Sequence, residues 1–330
     1  MSLPRLPIPP RGQAVKRTGA ADHSGGSAAV NKVAKRKKPE ADNGAKPPYD
    51  VRGALGIDMD IGNLIWVFFI FLALQPVIAA RWLRSMRAGK IAAIQKARNS
   101  RVIAIIHRQE AMRFFGFPIA RYIDLEDAEK VLAAIRTTPP EQPIDVILHT
   151  PGGLAIAALQ IARALRAHPG RVSVFVPHFA MSGGTLIALG ADEIVMSQHA
   201  MLGPVDPQIN GMPAASIIKV ASEKPLSDVD DQTLIFADVG HKAIEQLKRQ
   251  ACELLRAPMA PEAAMELAEK LTSGRWTHDY PITAPEAQAL GLPVNTNMPP
   301  EVLDLLQLFP QPVRMNQSVE FGPRSLPRPN

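Results

Sequence analysis

The chain has 330 residues, 46% of them hydrophobic, which is enough for one domain of about 150–200 residues with a substantial core. Its single cysteine, Cys252, excludes an intrachain disulfide and a cysteine-based metal cluster. The net charge is +6, and the first 60 residues carry eleven Lys and Arg against six Asp and Glu. Such a basic tail suits anionic lipid or nucleic acid but is more often a solvated segment, and we expect no nucleic-acid partner.

Residues 1–60 are rich in Pro, Gly, Ser, Ala and Lys without apolar periodicity, which predicts a disordered basic tail. Residues 61–80 contain no charged side chain. As a helix they would be about 30 Å long, which matches the hydrocarbon thickness of a bilayer. Their length and their distance from the N-terminus disfavour a signal peptide. We therefore predict a single transmembrane helix at residues 61–80, with a buried core helix as the alternative.

The flank that follows, residues 81–100, contains Arg and Lys but no acidic residue. This pattern predicts a basic juxtamembrane helix that lies along an anionic leaflet. The upstream flank carries Arg52 but also Asp50, Asp58 and Asp60. The positive-inside rule therefore predicts that the domain after the span faces the cytoplasm. The basic N-terminal tail argues against this topology, because it would then have to cross the membrane.

From residue 101 the pattern changes to short β-branched strands that alternate with helices. This alternation predicts an α/β fold over residues 101–296, with a mainly parallel sheet flanked by helices. Asp124 is a predicted helix N-cap with Asp127 in the capping-box position. Residues 297–330 are predicted to form a proline-rich tail, apart from a short apolar helix at 302–309. The predicted strands are 102–106, 144–148, 172–176 and 193–196, and the other predicted helices are 125–135, 155–167, 183–190, 260–271 and 284–290.

Two turns of small residues each follow a predicted strand and precede a predicted helix. In the P-G-G turn, residues 151–153, free backbone N–H groups would face outward and glycine would let a substrate carbonyl approach. The second turn, A-M-S-G-G-T at 180–185, brings Ser182 to the start of a helix. A nucleophilic serine needs such small neighbours, so that its hydroxyl is exposed and the next N–H can join an oxyanion hole. The G-x-S-x-G motif of α/β-hydrolases is absent, and Ser182 could instead be an ordinary helix N-cap.

The order of four segments resembles a known family. H-T-P-G-G at 149–153 is followed by A-M-S-G-G-T-L-I-A-L-G-A-D-E-I-V-M at 180–196, L-G-P-V-D-P-Q at 202–208 and S-G-R-W-T-H-D-Y-P-I-T-A-P-E-A-Q-A-L-G-L at 273–292. Over residues 60–296 the chain looks like the Clp/crotonase fold and is similar to the membrane-bound serine dehydrogenase proteinases, which are Clp-fold serine proteinases. The resemblance implies a serine peptidase domain. It also implies a homo-oligomer, because relatives with this fold assemble into rings.

The resemblance implies roles for the two turns. Ser182 stands where the Clp subunit has its nucleophile. The backbone N–H groups of Gly152 or Gly153, together with that of Gly183, stand where the Clp oxyanion hole is formed.

The resemblance assigns the other two members of the triad less directly. Asp279 stands at the place of the Clp triad aspartate, but the Clp histidine would fall at 204–206, where this chain has none. The serine dehydrogenase proteinases are described as having the altered order Ser, Asp, His. That order implies Asp206 as the orienting carboxylate and His278 as the base, with Asp279 as an alternative orienter.

Other residues could supply the base. Lys224 lies near the position of the lysine in the Ser–Lys dyad of signal-peptide-peptidase-like Clp-fold proteins. A lysine base must be buried to lose its proton near neutral pH, and Glu223 beside it would oppose that. His149, His178 and His199 are also near the turns, although a histidine is more often structural.

We therefore expect a membrane-anchored serine endopeptidase that contacts membrane lipid and hydrolyses protein or peptide substrates through an acyl-enzyme on Ser182. No metal or organic cofactor is expected. Two other functions remain open. A crotonase-type acyl-CoA enzyme shares the oxyanion hole without needing a serine nucleophile, and a catalytically inactive membrane scaffold would keep only the fold.

Overall fold

The computed structural model of the chain describes residues 61–107, 112–114, 117–119, 122–256 and 259–309, with side chains described from residue 64 onward except at 108–121. The predicted tail at residues 1–60 and the last part of the predicted proline-rich tail lie outside these residues. The chain divides into two units, Met1–Leu64 and Ile65–Asn330, and the fold described below belongs to the second.

Helices and short strands alternate along the described chain. The predicted strands are confirmed to within one residue at each end, as are the predicted helices at 125–135, 155–167, 183–190, 260–271 and 284–290. In chain order the elements are α1 (Ile61–Arg98), β1 (Arg101–Ile106), β2 (Met112–Phe114), β3 (Phe117–Ile119), α2 (Leu125–Arg136), β4 (Ile144–His149), α3 (Ala155–Arg166), β5 (Val172–Val176), β6 (Phe179–Ala180), α4 (Gly183–Leu189), β7 (Glu193–Met196), β8 (Met201–Leu202), β9 (Gln208–Ile209), β10 (Met212–Pro213), α5 (Ala214–Glu223), a 3₁₀ turn (Leu226–Asp228), α6 (Asp231–Leu255), α7 (Pro261–Thr272), β11 (Ile282–Thr283), α8 (Ala284–Ala289), β12 (Val294–Asn295) and α9 (Pro300–Gln307).

A five-stranded parallel sheet forms the centre of the fold, in the order β1-β4-β5-β7-β12. All six residues of β4 are buried, as expected of a strand covered on both faces. Successive side chains point to opposite faces. Val146 and Leu148 therefore join a core with α2, α3, α4, α6 and α7, whereas Ile147 joins a second core with α1 and α9. The predicted α/β fold is confirmed.

The capping box predicted at the start of α2 is also confirmed. The N–H of Asp127 donates to Asp124 Oδ1 at 2.9 Å, and the N–H of Asp124 donates to Asp127 Oδ2 at 3.1 Å. These two bonds satisfy backbone donors that the helix itself leaves unpaired.

Helix α1 is one continuous element of 38 residues. Its first part exposes large apolar side chains such as Trp66, Phe68 and Ile70, each more than half exposed. Among the described helices it is the one long and apolar enough to cross a membrane, and none of its apolar window is buried within the chain. The alternative of a buried core helix is therefore wrong. The basic segment predicted at residues 81–100 continues the same helix, as far as Arg98.

The last turns of α1 dock on the folded domain. Ile94 is 3% exposed and packs in the core under the sheet with α9. Arg87 Nε donates to Leu308 O at 2.8 Å, and Lys90 forms an ion pair with Asp304 at 3.1 Å. Part of the basic flank thus binds the domain instead of lying free along a leaflet. The packed chain continues to α9, past residue 296.

A buried carboxylate fixes the end of α1. The Asp145 side chain, in β4, is 3% exposed and accepts hydrogen bonds from Arg98 Nε and from Ser100 Oγ. The Arg98 guanidinium also lies 4.7 Å from the centre of the Phe175 ring. A charge this deeply buried requires such partners, so these contacts hold the end of α1 against the sheet.

Helices α5 and α6 were not predicted from the sequence. The longer one, α6, begins after Asp230, whose side chain accepts the N–H of Thr233 at 2.9 Å. It packs against α5, α7 and α3. Its buried residues recur at helical spacing, at positions 237, 240, 247, 251 and 254, so its apolar stripe is present in the sequence.

Candidate active site

A small three-stranded sheet gathers the candidate residues at one edge. Its order is β11-β8-β6, with β8 parallel to β6 and antiparallel to β11. Ser182 follows β6 and Asp206 follows β8, so both lie beyond the carboxyl ends of parallel strands. His278 precedes β11, which runs in the opposite direction, and therefore lies toward the same edge. Three segments that are far apart in the chain converge there.

Ser182 has an unusual backbone conformation, with φ 49° and ψ −114°. A non-glycine residue held in such a sparsely populated region stores on the order of 1–3 kcal/mol of strain. Ser182 occupies the N-cap position of α4, but its side chain makes no capping hydrogen bond to the helix, unlike that of an ordinary serine N-cap. A sharp, strained turn from a strand into a helix is the geometry that exposes a nucleophilic serine in other hydrolases.

The P-G-G turn lies directly against this serine. A Cβ atom added to Gly152 would lie 2.8 Å from Ser182 Cβ and 2.9 Å from Met181 O, and one added to Gly153 would lie 2.3 Å from Ile123 O. Both glycines also have positive φ, 111° and 154°. A side chain on Gly152 would push the two turns apart, and one on Gly153 would push the P-G-G turn away from Ile123, so glycine is required at both positions.

Three backbone N–H groups border this contact. The N–H of Gly152 donates to Thr150 Oγ1 at 3.2 Å. The N–H groups of Gly153 and Gly183 have no acceptor among the residues that the structure describes. They are close neighbours, because a Cβ built on Gly183 would lie 3.4 Å from Gly153 N. Two unpaired donors beside a serine can bind the oxygen of a tetrahedral intermediate.

Asp206 and His278 are in direct contact. His278 Nδ1 lies 2.7 Å from Asp206 Oδ1. Because an ionised carboxylate only accepts hydrogen bonds, Nδ1 carries the proton and Nε2 keeps the lone pair of the neutral ring. The Asp206 side chain is 2% exposed and that of His278 is 39% exposed. A buried acceptor thus orients a partly exposed imidazole.

The environment raises the pKa of His278 above its ordinary value of 6.5. The main cause is the hydrogen bond to Asp206; burial opposes it, and the negative charges of Asp206 and Asp279 add to the increase. The site therefore favours the imidazolium, which is the species a histidine base becomes when it accepts a proton.

Two residues that the sequence analysis did not single out hold these segments together. Gln208 Nε2 donates to the second oxygen of Asp206, Oδ2, at 2.6 Å. The hydroxyl of Thr185, which is fully buried, lies 2.9 Å from Ala180 O and 2.8 Å from Gly203 O, and it accepts the N–H of Gly203 at 3.1 Å. Thr185 thus links the serine turn to the segment that leads to Asp206. Both residues lie inside the motif segments, but a linear pattern does not show which polar groups will meet.

The rival residues lie elsewhere or are exposed. Lys224 caps the C-terminus of α5 and is exposed, so the burial that a lysine base needs is missing. Asp279 is exposed, and it is Asp206 that contacts the His278 ring. The His149 ring is buried and meets that of His178 edge to face, with ring centres 5.6 Å apart. His199 is exposed.

In the described part of the chain, no group of three or more His, Cys, Asp or Glu is arranged to hold a metal ion.

The chain matches one family model and is similar to several known proteins. The family model for the ClpP-like SDH-type serine proteinases matches residues 57–330. Two uncharacterized proteins of Methanocaldococcus jannaschii are 50% and 48% identical to the chain, over 271 and 265 residues, and the alignments cover 95% and 90% of those proteins and 82% and 80% of this chain. A solved structure, a mutant of the 1510-N membrane-bound stomatin-specific protease, is 20% identical with a TM-score of 0.38, covering 56% of this chain and 79% of that one. That last likeness is too distant to bear on mechanism. The chain belongs to the family of ClpP-like SDH-type serine proteinases.

Proposed function

We propose that the protein is a membrane-anchored serine endopeptidase with Ser182 as the nucleophile, His278 as the general base and Asp206 as the carboxylate that orients it. The order along the chain is Ser, Asp, His, which is compatible with the same chemistry because a triad is defined by geometry. The observation that carries the proposal is the Asp206–His278 hydrogen bond, at the sheet edge toward which the strained Ser182 turn also lies.

In this mechanism Ser182 Oγ attacks the carbonyl carbon of a peptide bond while His278 Nε2 accepts its proton. The imidazolium, held by Asp206, then donates that proton to the leaving amine, and the acyl group remains as an ester on Ser182. A water molecule deprotonated by His278 hydrolyses the ester and releases the serine. The Gly153 and Gly183 N–H groups would donate to the oxyanion, whereas the Gly152 N–H is already engaged by Thr150.

Labelling with a fluorophosphonate probe tests the nucleophile. We expect the wild-type protein to be labelled and to cleave peptides, and Ser182→Ala to do neither while unfolding at the same temperature. Ser222→Ala, which removes an exposed hydroxyl on α5, is the matched control and should behave as wild type. Labelling that survives in Ser182→Ala would contradict the assignment.

If the wild-type protein is neither labelled nor active on peptides, an acyl-CoA assay decides between the two other functions. Turnover of an acyl-CoA would support the crotonase alternative, and no turnover would support the inactive scaffold.

We also propose that residues 61–80 anchor the protein and that the catalytic domain faces the cytoplasm. The exposed apolar surface of the first part of α1 supports the anchor. An engineered cysteine on exposed Lys224 tests the topology, since Cys252 is 2% exposed and should react little. A membrane-impermeant maleimide should label it only after the cells are permeabilised. Labelling of intact cells would overturn the orientation.

Assembly into a homo-oligomer is a further part of the proposal. It is supported by the family's fold and by exposed apolar side chains such as Leu226 and Ile235, which are 73% and 60% exposed. Sedimentation of the detergent-solubilised protein would measure the state. A monomer at micromolar concentration would contradict it.

A further inference from the structure

We infer that His107 and Asp127 form a second histidine–aspartate pair. This pair contacts Thr150, and through Thr150 it holds the P-G-G turn in place. The pair is a positioning device and not part of the triad. It acts on the backbone that carries the Gly153 N–H, so the inference rests on the proposed function and deepens it.

Thr150 joins the two turns of the site. It is fully buried. Its N–H donates to Phe179 O at 3.1 Å and its carbonyl accepts the N–H of Met181 at 3.0 Å, which ties its backbone to the segment entering the serine turn. Its Oγ1 accepts the N–H of Gly152 at 3.2 Å. One residue therefore sets the spacing between the P-G-G turn and Ser182.

The hydroxyl of Thr150 is in turn held by His107. The ring is 6% exposed, with Nδ1 3.0 Å from Thr150 Oγ1 and Nε2 3.2 Å from Asp127 Oδ2. A carboxylate only accepts hydrogen bonds, so the tautomer that suits Asp127 carries the proton on Nε2, and Nδ1 then accepts the Thr150 hydroxyl proton. That proton is then directed at His107, at a shorter distance than the 3.3 Å to Gly152 O. The Thr150 oxygen keeps a lone pair aimed at the Gly152 N–H.

Asp127 is fixed by the capping box of α2. Ile123, four residues earlier, also contacts the P-G-G turn directly. The N–H of Ile123 donates to Gly152 O at 2.8 Å, and Ile123 O accepts the N–H of Leu154 at 2.9 Å. The turn is thus bound directly by Ile123 and indirectly through Asp127, His107 and Thr150. In the described chain this leaves the Gly153 N–H without an acceptor, as an oxyanion donor must be before substrate binds.

A loosened turn should therefore reduce turnover more than substrate binding. Removing the Thr150 hydroxyl leaves the buried Gly152 N–H unpaired, and the turn must shift to satisfy it. A displacement of about 1 Å in a catalytic group can reduce the rate by roughly 100-fold. Because the oxyanion contact strengthens in the transition state, the loss should appear in kcat and not in KM.

The test compares variants of the full-length protein in detergent on a peptide substrate. Thr150→Val keeps the shape but loses the hydroxyl, and we expect kcat to fall roughly 10–100-fold with KM within about threefold. Thr150→Ser keeps the hydroxyl and should stay within about threefold in kcat. Thr138→Val is the matched control: Thr138 is also buried and donates to Ala134 O, but beyond the far end of α2, and kcat should be unchanged. For the ring, His107→Asn keeps an acceptor near Nδ1 and should retain at least about fivefold more kcat than His107→Phe.

The outcomes separate the two proposals. If Ser182→Ala retains activity, the proposed function fails whatever Thr150 does. If Ser182 is the nucleophile but Thr150→Val keeps wild-type kcat, the positioning role is overturned. If Thr150→Val does not fold, the His107 variants decide, and equal kcat in the folded Asn and Phe variants would overturn the inference. If the loss of kcat in each variant only parallels its loss of thermal stability, and Thr138→Val loses as much kcat, the role of Thr150 is structural only. That result also overturns the inference.

Discussion

His278 Nδ1 lies 2.7 Å from Asp206 Oδ1 although the two residues are 72 positions apart in the chain. The pairing of β8 with β11 explains this proximity. Leu202 lies opposite Ile282 in that antiparallel ladder, so the segment that follows β8 and the segment that precedes β11 start from neighbouring positions. Asp206 lies four residues after Leu202, and His278 lies four residues before Ile282, in a turn that the Tyr280 N–H closes on Thr277 O. The proposed acid–base pair therefore depends on this strand pairing and on the turn beside it.

Asp206→Asn should lower kcat/KM by roughly 100-fold or more, because an amide does not stabilise the imidazolium. It should also move the acidic limb of the pH profile. His278 must be neutral to act as a base, so activity falls as the pH drops through its pKa. The wild-type pKa is raised, mainly by Asp206, so the wild-type limb should lie above pH 6.5 and the limb of the variant at lower pH. Asp279→Asn should shift the limb only slightly. A limb unchanged by Asp206→Asn would mean that another group titrates.

His278→Ala should lower kcat by roughly 1,000-fold or more, as the loss of a triad base does. Lys224→Ala should remain within about tenfold of wild type, because Lys224 is exposed. Peptide hydrolysis measured from about pH 5 to pH 10 distinguishes the two bases. An inactive Lys224→Ala, an active His278→Ala and a rate still rising above about pH 8 would together indicate a Ser–Lys dyad.

Gly153→Ala should abolish activity, because the new Cβ would lie 2.3 Å from Ile123 O and displace the turn that carries the Gly153 N–H. Gly211→Ala is the matched control. That glycine also has positive φ, 77°, but a Cβ there would meet nothing within 4 Å, so the change adds backbone strain without a clash. Activity and the unfolding temperature of both variants should be measured together. A folded Gly153→Ala protein with wild-type turnover would show that the turn takes no part in catalysis.

Deleting residues 1–80 should release a folded, active domain from the membrane, since the contacts of Arg87, Ile94 and Arg98 with the domain remain. Deleting residues 1–98 should destabilise it. That deletion uncovers the core under the sheet and leaves the buried Asp145 carboxylate without its cation, and an uncompensated buried charge is destabilising. Urea denaturation monitored by circular dichroism compares the two. Equal stability would mean that α1 is only a membrane anchor.

The sequence by itself determined the fold class, most element bounds and the position of the proposed nucleophile. These features are local: hydrophobic period, caps and glycine turns act over a few residues, and the A-M-S-G-G-T run contains its own steric requirement. Helix α6 was not predicted, although its buried residues recur at helical spacing. The contacts of residues 87–98 of α1 with the folded domain were not predicted, because a basic segment has the same sequence pattern whether it faces lipid or protein.

Only the tertiary structure decided which side chains meet. The strands that bring Asp206 to His278 are two residues long, too short to show any periodicity, and their pairing depends on the packing of the whole domain. The same holds for Asp145 with Arg98, and for His107 with Thr150 and Asp127, where buried polar groups pair because burial without a partner is costly. Burial makes these pairs necessary, but the choice of partner is a long-range property that a linear pattern does not contain.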